Sequence, residues 1–452
     1  MISRLIEKII LILTIFWFSF GLAAETLNLD LQTARQIALE NNPSLKLARE
    51  AVLKSRTSIK EARGNMMPKI SAFSQYQRAW EIGGMPMPEA FKLLIQALGE
   101  TPPETMTFEK ENTIAAGLSL SQPVYKGGLF RNAYQISKIG ASITESQLKA
   151  SEQKIISEVS RAYFGVLFAN SAYEVAEEGL NSAEQNLIQV QKFYNVGKAS
   201  RFDVLRAEVQ VANFKPMVVS SKNAKQLSES SLRITLGIRD DININYIEKL
   251  KYTESELINT ELNELIEIAL QGRPEMNMLT DQKKLAEKQV SIAKSDYLPS
   301  VLFGTSYQYQ GFKDSFKFVK DDFIKSFNSS ISLSIPIFSG LGTNAKVQQA
   351  KVTVKEADYQ AELAINGIIL EVKSAYFSMK EAQENVIMQD VTIEQAQEAL
   401  RLAELMYSEG SSTQLDVLNA NVALNQAKMN YQKSLYDYNV ALANLKKAIN
   451  QL

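Results

Sequence analysis

Residues 330–337 read Ser-Ile-Ser-Leu-Ser-Ile-Pro-Ile, and residues 117–124 read Gly-Leu-Ser-Leu-Ser-Gln-Pro-Val. Apolar residues recur at every second position with serine between them, which is typical of a β-strand with one apolar face. An alternating stretch also precedes each of these, around Tyr76 and around Tyr307. The sequence therefore predicts four strands of about ten to fifteen residues, in two β-hairpins at 68–125 and 299–338.

The two hairpins are part of a duplication that runs through the chain. Ala-Tyr-Phe occurs at 162–164 and again at 375–377, and Tyr-x-x-Gly occurs at 194–197 and again at 407–410. A unit of this size that occurs only twice excludes a solenoid and indicates two structural repeats of one body. The predicted repeats are 25–238 and 239–452, each with a helix, one of the β-hairpins and a long helical hairpin, at 127–237 and 341–449 respectively.

Two stretches bounded by glycine predict very long helices. No strong helix breaker occurs between Gly128 and Gly197, or between Gly342 and Gly410. About 70 helical residues extend roughly 100 Å, and such a helix needs a partner along its length. Apolar residues in 4-3 spacing provide the contact line, so each long helix should pair with the helix that follows it as an antiparallel coiled coil.

The N-terminus predicts export from the cytoplasm. Residues 1–24 contain a basic start with Arg4 and Lys8, an apolar run from Ile9 to Phe20, and small residues before Glu25. This order is that of a cleaved signal peptide. The apolar run is too short for a membrane-spanning helix of about 20 residues, and no later stretch is long and apolar enough for one.

Composition argues against an enzyme. The chain has no cysteine and no histidine, so the most frequent general base, most catalytic triads and the common transition-metal ligand sets are absent. Neither a cofactor nor a metal is expected, and a lipid attached to an N-terminal cysteine is excluded. The net charge of −1 and the absence of a basic segment argue against a nucleic-acid partner.

The alternating strands fit two kinds of protein. They could form a half-buried sheet in a periplasmic coiled-coil scaffold, or they could be the wall of an outer-membrane β-barrel. The polar positions carry Ser, Gln, Thr and Gly rather than charges, as expected for a wall that faces a water-filled lumen. Because barrels of this kind have at least about eight strands, four strands would require the chain to oligomerise.

The order of these features resembles the TolC-like outer-membrane efflux proteins over essentially the whole chain after the signal. The resemblance rests on the export signal and on two copies of helix, β-hairpin, long helix, Tyr-x-x-Gly turn, Asp-Val-Leu and returning helix. It implies an α+β membrane protein that is a homotrimer. Four strands per chain would then form a 12-stranded β-barrel, continued by a long α-helical barrel of coiled-coil hairpins.

The resemblance also implies a function and partners. The protein would be the outer-membrane exit duct of a tripartite efflux or type I secretion system, embedded in outer-membrane lipid and extending into the periplasm. A periplasmic adaptor (membrane fusion) protein would connect it to an inner-membrane RND or ABC pump, which supplies the energy. A stand-alone outer-membrane porin is a further alternative.

In the family, residues near the helical turns hold the periplasmic entrance closed. Tyr407, Asp203 and Asp416 match these gate positions, although both aspartates are equally suited to cap a helix. Two gate positions depart from better-known members, since Ser412 stands in place of an arginine and Asn419 in place of an aspartate. Arg201, Arg206 or Lys198 could replace the missing cation. The adaptor-docking tips would be Gly197, Lys198, Ser200, Gly410 and Ser411.

Two predicted extracellular loops are left without an assigned role. Loop 82–108 is the longer and contains Gly83-Gly84-Met85-Pro86 followed by an Ala/Leu-rich stretch, and loop 311–326 carries several phenylalanines. Each could cover the outer mouth in part or be a variable, solvated loop.

Overall fold

The computed structural model describes residues 27–107, 109–240 and 242–452, so the predicted signal peptide 1–24 lies outside the described residues. The chain divides into two compact units. One comprises the segment that ends at Leu53 together with Ile143–Thr280 and Tyr359–Leu452; the other comprises Lys54–Ser142 and Asp281–Asp358. Each unit draws on both predicted repeats, and the repeat boundary at residue 238 stays a prediction.

The elements follow one another in the same order in both halves of the chain. The first half contains β1 (Leu27–Leu29), α1 (Leu31–Asn41), α2 (Pro43–Gly64), β2 (Lys69–Arg78), β3 (Met85–Pro86), α3 (Glu89–Ala97), β4 (Thr105–Met106), β5 (Asn112–Lys126), α4 (Leu129–Asn195) and α5 (Arg201–Leu236). The second half contains β6 (Ile244–Tyr246), α6 (Leu262–Gly272), α7 (Pro274–Ser295), β7 (Ser300–Lys313), β8 (Phe323–Ser334), α8 (Gly342–Ser408) and α9 (Gln414–Ala448).

Four strands of one unit form an antiparallel sheet in the order β2-β5-β7-β8. The register pairs Ile70 with Leu120 and Phe303 with Ile331, so apolar residues of neighbouring strands lie on the same side of the sheet. We call this side the apolar sheet face; it carries Ile70, Ala72, Tyr76, Ile114, Leu118, Leu120, Val301, Phe303, Tyr307, Phe327, Ile331 and Leu333.

The opposite side of the sheet is polar. It carries mainly Ser, Gln and Asn, and Ser71 and Ser119 hydrogen-bond across β2 and β5 at 2.8 Å. Apolar side chains on the other face are exposed in the single chain, with 74% of Ile331 accessible. Within the described sheet, β2 and β8 each pair on one side only. The sheet therefore has one apolar face, one polar face and two open edges.

The predicted long helices are present. Helices α4 and α8 each have 67 residues, and α5 and α9 have 36 and 35. Within the part of the chain that the structure describes, no helix has the combination of length and apolar character needed to cross a membrane.

The other unit has two apolar cores that fasten shorter segments onto the long helices. In one core β1, α1 and α2 pack on α4 and α5, where the buried Tyr163 hydroxyl donates a hydrogen bond to the Leu29 carbonyl at 3.1 Å. In the other core α6 and the segment before it pack on α8 and α9, where the Tyr438 hydroxyl donates to the Thr253 carbonyl at 2.8 Å. Strands β1 and β6 pair in parallel. Strand β1, helix α1 and the segment between the repeats thus pack against the middle of the long helices α4 and α8 and the ends of α5 and α9.

Candidate gate and docking site at the hairpin tips

The two helical hairpins turn in the same way. In the first turn the Lys198 amide donates to the Phe193 carbonyl, and in the second the Ser411 amide donates to the Met406 carbonyl, both at 2.8 Å. The glycine before each donor, Gly197 or Gly410, is left-handed with φ of 77° or 76°. This is the arrangement in which glycine ends a helix. A Cβ at either glycine would meet nothing within 4 Å, so backbone conformation rather than crowding requires glycine there.

The two predicted gate aspartates cap the helices that leave these turns. Asp203 accepts a hydrogen bond from the Ser200 amide at 2.9 Å, and the Asp203 amide donates to the Ser200 hydroxyl at 3.2 Å. Asp416 and Thr413 repeat this reciprocal pair at 2.9 and 3.3 Å. The two aspartates therefore stabilise the start of α5 and of α9.

Ser412 extends the second cap. Its hydroxyl donates to Asp416 Oδ2 at 2.8 Å. The side-chain and backbone hydrogen bonds from Thr413, with this bond from Ser412, hold the pKa of Asp416 below its usual range. Where better-known relatives would place an arginine, this chain thus has a hydroxyl bonded within its own turn.

Tyr407 connects the two hairpins by packing. Its ring centroid lies 5.6 Å from that of Phe193, and it packs against the buried Val190, Val204 and Ala207 of the first hairpin. Its hydroxyl is buried and has no hydrogen-bond partner among the described residues. Burial, with a contribution from the charge of Asp203, raises the pKa of this hydroxyl. Tyr407 and Asp203 are thus brought near each other without a hydrogen bond between them.

The other predicted site residues lie on the surface of the tips. Arg201 is paired with Glu208 on its own helix, with 3.6 Å between Nη1 and Oε1, and its role in place of an arginine at position 412 stays a prediction. Asn419 is exposed on α9. The proposed docking residues Gly197, Lys198, Ser200, Gly410 and Ser411 are exposed as well.

The sequence marks Gln414, the first residue of α9, as a position where the two repeats differ near the gate, but it did not predict that this residue is buried. Its side chain is 2% exposed, and neither amide atom has a hydrogen-bond partner in the described part of the chain. It belongs to a buried row on α9 that includes Asn421, which donates to Ser182 on α4. The corresponding residue of the first hairpin is the exposed Arg201. That difference between the repeats was the one available signal, since a polar residue beside a turn ordinarily indicates solvent.

Comparisons with known proteins place the fold in one class. The profile of the family described as "Outer membrane efflux protein" matches residues 34–237 and 265–451. Outer membrane protein TolC of Vibrio cholerae is 25% identical over 345 residues, which cover 76% of this chain and 78% of that protein. Alkaline protease secretion protein AprF of Pseudomonas aeruginosa is 21% identical over 435 residues, 95% of this chain and 86% of that protein. The CmeC outer membrane channel of Campylobacter jejuni superposes with a TM-score of 0.76 at 19% identity, covering 93% of this chain and 85% of that one.

Together the fold and these comparisons define an export channel of the outer membrane, and the predicted fold class is confirmed. The chain belongs to the outer membrane efflux protein family. It is an outer-membrane exit duct for efflux or secretion, as the sequence predicted.

Proposed function

We propose that three copies of this chain form a passive duct that receives substrate from an inner-membrane pump through a periplasmic adaptor. The observation that carries the proposal is the register of the sheet, which gathers the apolar side chains of four strands on one face. These strands have 10, 15, 14 and 12 residues, and about 9–11 tilted residues suffice to cross a bilayer. The apolar sheet face would contact lipid, and the Ser- and Gln-rich face would line water.

The open edges of the sheet support the trimer. Because β2 and β8 each lack a neighbour on one side, edge-to-edge pairing among three copies would close a barrel of twelve strands, within the range of known barrels. The helices support the same assembly. On α8 the exposed Leu363, Leu370 and Phe377 recur every seven residues, which is the spacing of a coiled-coil contact that still needs a partner helix.

The duct performs no chemistry of its own in this proposal. Transport is driven by the pump, and the polar wall lets hydrated substrates pass. The names of two relatives, a protease secretion protein and a "Cation efflux system protein", support polypeptides and small solutes alike as the cargo class.

Docking of the adaptor is proposed at the exposed tips around Gly197 and Gly410. Because the chain has no native cysteine, Ser200→Cys and Ser411→Cys can each be labelled with a benzophenone maleimide, and illumination of intact cells should then cross-link each tip to the adaptor. Thr101→Cys, in loop 82–108, serves as the matched control and should capture no periplasmic protein. Absence of an adaptor adduct from both tip variants would refute docking at the tips.

Two simpler measurements separate the duct from the alternatives. Release of the mature protein in soluble form without detergent would refute the outer-membrane duct in favour of a periplasmic scaffold. High conductance in planar bilayers without any partner would indicate a stand-alone porin, whereas a mostly closed trimer is expected of a duct that an adaptor opens.

The gate is proposed to close where the second hairpin packs on the first, through Tyr407 and the buried row of α9. Within this contact Gln414 works against closure, because a buried amide without hydrogen bonds costs about 1–3 kcal/mol. Moving the second hairpin away would return that amide to water.

Gln414→Leu is therefore expected to stabilise the closed tip by about 1–3 kcal/mol and to lower the open probability of the trimer in planar bilayers. Gln426→Leu is the matched control, because Gln426 is an exposed glutamine on the same helix, and this variant should leave conductance unchanged. A rise in conductance for Gln414→Leu would contradict the prediction, since it would mean that the amide holds the tip closed.

A further inference from the structure

The longer extracellular loop contains a helix that is apolar on nearly all sides. Helix α3 reads Glu-Ala-Phe-Lys-Leu-Leu-Ile-Gln-Ala from Glu89 to Ala97. Its only polar side chains are Glu89, Lys92 and Gln96, whose spacing of three and four residues places them in one narrow stripe. The remaining side chains around the helix are apolar.

This apolar surface is not covered by the rest of the described chain. Phe91, Leu93 and Leu94 are each more than half exposed, and Leu98 just after the helix is exposed as well. The loop is nevertheless ordered around them, because β3 pairs with β4 and Met87 is 5% exposed. A helix that is apolar nearly all round is ordinarily buried in protein or in lipid, so α3 needs an apolar surrounding.

The path of the chain connects α3 to the apolar sheet face. Tyr76 and Arg78 lie on that side of β2, and the Arg78 guanidinium stacks on the ring of Trp80 at 4.4 Å from its centroid. Because it stacks on Arg78, Trp80 lies on the same side as the apolar sheet face, and it is 84% exposed. Tryptophan is enriched where a membrane meets water. The chain thus leaves the sheet on its lipid side, nine residues before α3 begins.

The nearly neutral charge of α3 also fits an apolar surrounding. Lys92 Nζ and Glu89 Oε1 form an ion pair at 2.8 Å, so the polar stripe is close to neutral. A lysine of this kind keeps its ammonium at the water boundary while its methylene chain lies along apolar groups. A helix with a narrow polar stripe beside broad apolar flanks is suited to lie in the plane of a membrane interface.

We propose that α3 lies in the outer leaflet of the outer membrane, with Leu94 and Phe91 among the lipid acyl chains and its polar stripe toward water. This inference rests on the proposed function in one respect, namely that the apolar sheet face contacts lipid. The partner is lipid rather than a second copy, because the chain enters this loop from the lipid-facing side of the sheet, past Arg78 and Trp80. Helix α3 would then hold the extended loop down on the membrane beside the outer mouth.

Tryptophan fluorescence in vesicles of brominated phosphatidylcholine tests the proposal. Bromine on an acyl chain quenches only tryptophans that contact it. Of the two tryptophans in the chain, Trp17 lies in the predicted signal peptide, so Trp80→Phe gives a mature protein without tryptophan. Into this background a single tryptophan is placed at Leu94, at Gln96 or at Phe327, and each full-length trimer is reconstituted in brominated and in ordinary vesicles.

Leu94→Trp and Phe327→Trp are expected to lose most of their emission in brominated vesicles, and Gln96→Trp much less. Quenching at Phe327 without quenching at Leu94 would overturn the position of α3 and leave the proposed duct intact. In that case blue-shifted emission at Leu94 would indicate packing against another copy, and red-shifted emission would indicate solvent. No quenching at Phe327 would refute the lipid contact of the sheet itself, and with it the proposed duct.

Discussion

Arg273→Met is expected to destabilise the protein by about 3 kcal/mol, at the lower end of the range for breaking a buried ion pair. The Arg273 side chain is 8% exposed, and Nη1 donates to Glu371 on α8 at 2.6 Å while Nη2 donates to Glu275 at 2.9 Å. Nη1 also donates to the Ala448 carbonyl at 3.4 Å. Methionine would fill the space but would leave both carboxylates without this cation. The loss stays moderate because the two carboxylates keep 35% and 38% exposure and water can reach them.

Thermal unfolding followed by circular dichroism measures this effect as a lower melting temperature. Arg401→Met is the matched control, since Arg401 forms a two-bond pair with Glu398 that is exposed on both sides. Exposed pairs contribute at most about 1 kcal/mol, so Arg401→Met should barely move the melting temperature. Equal shifts for the two variants would contradict a special role for the buried guanidinium.

The same pair predicts a dependence on pH. Burial raises the pKa of Glu371, but the hydrogen bond and charge of Arg273, with a smaller effect of Lys447, bring it below its ordinary value of 4.5. A carboxylate with a lowered pKa in the fold stabilises the protein above its unfolded pKa, and this contribution is lost as pH falls through the folded pKa. The difference in melting temperature between wild type and Arg273→Met should therefore be full above about pH 4.5 and should shrink below it.

Tyr407→Ala is expected to open the periplasmic gate, whereas Tyr407→Phe should leave it closed. The ring lies against Phe193 and the buried Val190, so its removal would cost about 2–3 kcal/mol of contact between the hairpins, below the range for fully buried rings. The hydroxyl has no partner in the described structure. Its loss therefore removes no hydrogen bond.

Planar-bilayer conductance and the sensitivity of cells to a large antibiotic that the intact outer membrane excludes both report an open gate. We expect both to rise for Tyr407→Ala and to match wild type for Tyr407→Phe. A Tyr407→Phe trimer as leaky as the alanine variant would contradict closure by packing and would point to a hydrogen bond from this hydroxyl in the assembled trimer.

The features of the fold that could be predicted from the sequence are those that depend on local periodicity. The alternation at 330–337 depends only on neighbouring positions, so it indicates a two-faced strand whatever the strand packs against. Long proline-free stretches with 4-3 spacing likewise predict α4 and α8 without knowledge of their partners. The two turns were recognisable because glycine at Gly197 and Gly410 is needed for a local backbone conformation.

The features that could not be predicted from the sequence depend on contacts between segments that are distant in the chain. Asp203 and Asp416 fitted both a gate and a cap, and only the coordinates show the reciprocal bonds to Ser200 and Thr413. The burial of Gln414 depends on how α9 packs on the first hairpin, so its sequence neighbours gave no sign of it. Helix α3 could be recognised only as an Ala/Leu-rich stretch, because nine helical residues are too few for a periodicity to stand out.

The sequence by itself determined that this chain is a duplicated, exported protein of two-faced strands and very long paired helices. Each of these properties follows from the order and spacing of residues within a continuous stretch of the chain. The tertiary structure alone decided that the strands present their apolar residues on one common sheet face, since register is a relation between strands. It also decided that Tyr407 packs on Phe193 and Val190 of the first hairpin, and that Gln414 is buried with no hydrogen-bond partner among the described residues. Both features depend on contacts between residues that are far apart in the sequence, and such contacts cannot be inferred from neighbouring positions in the chain.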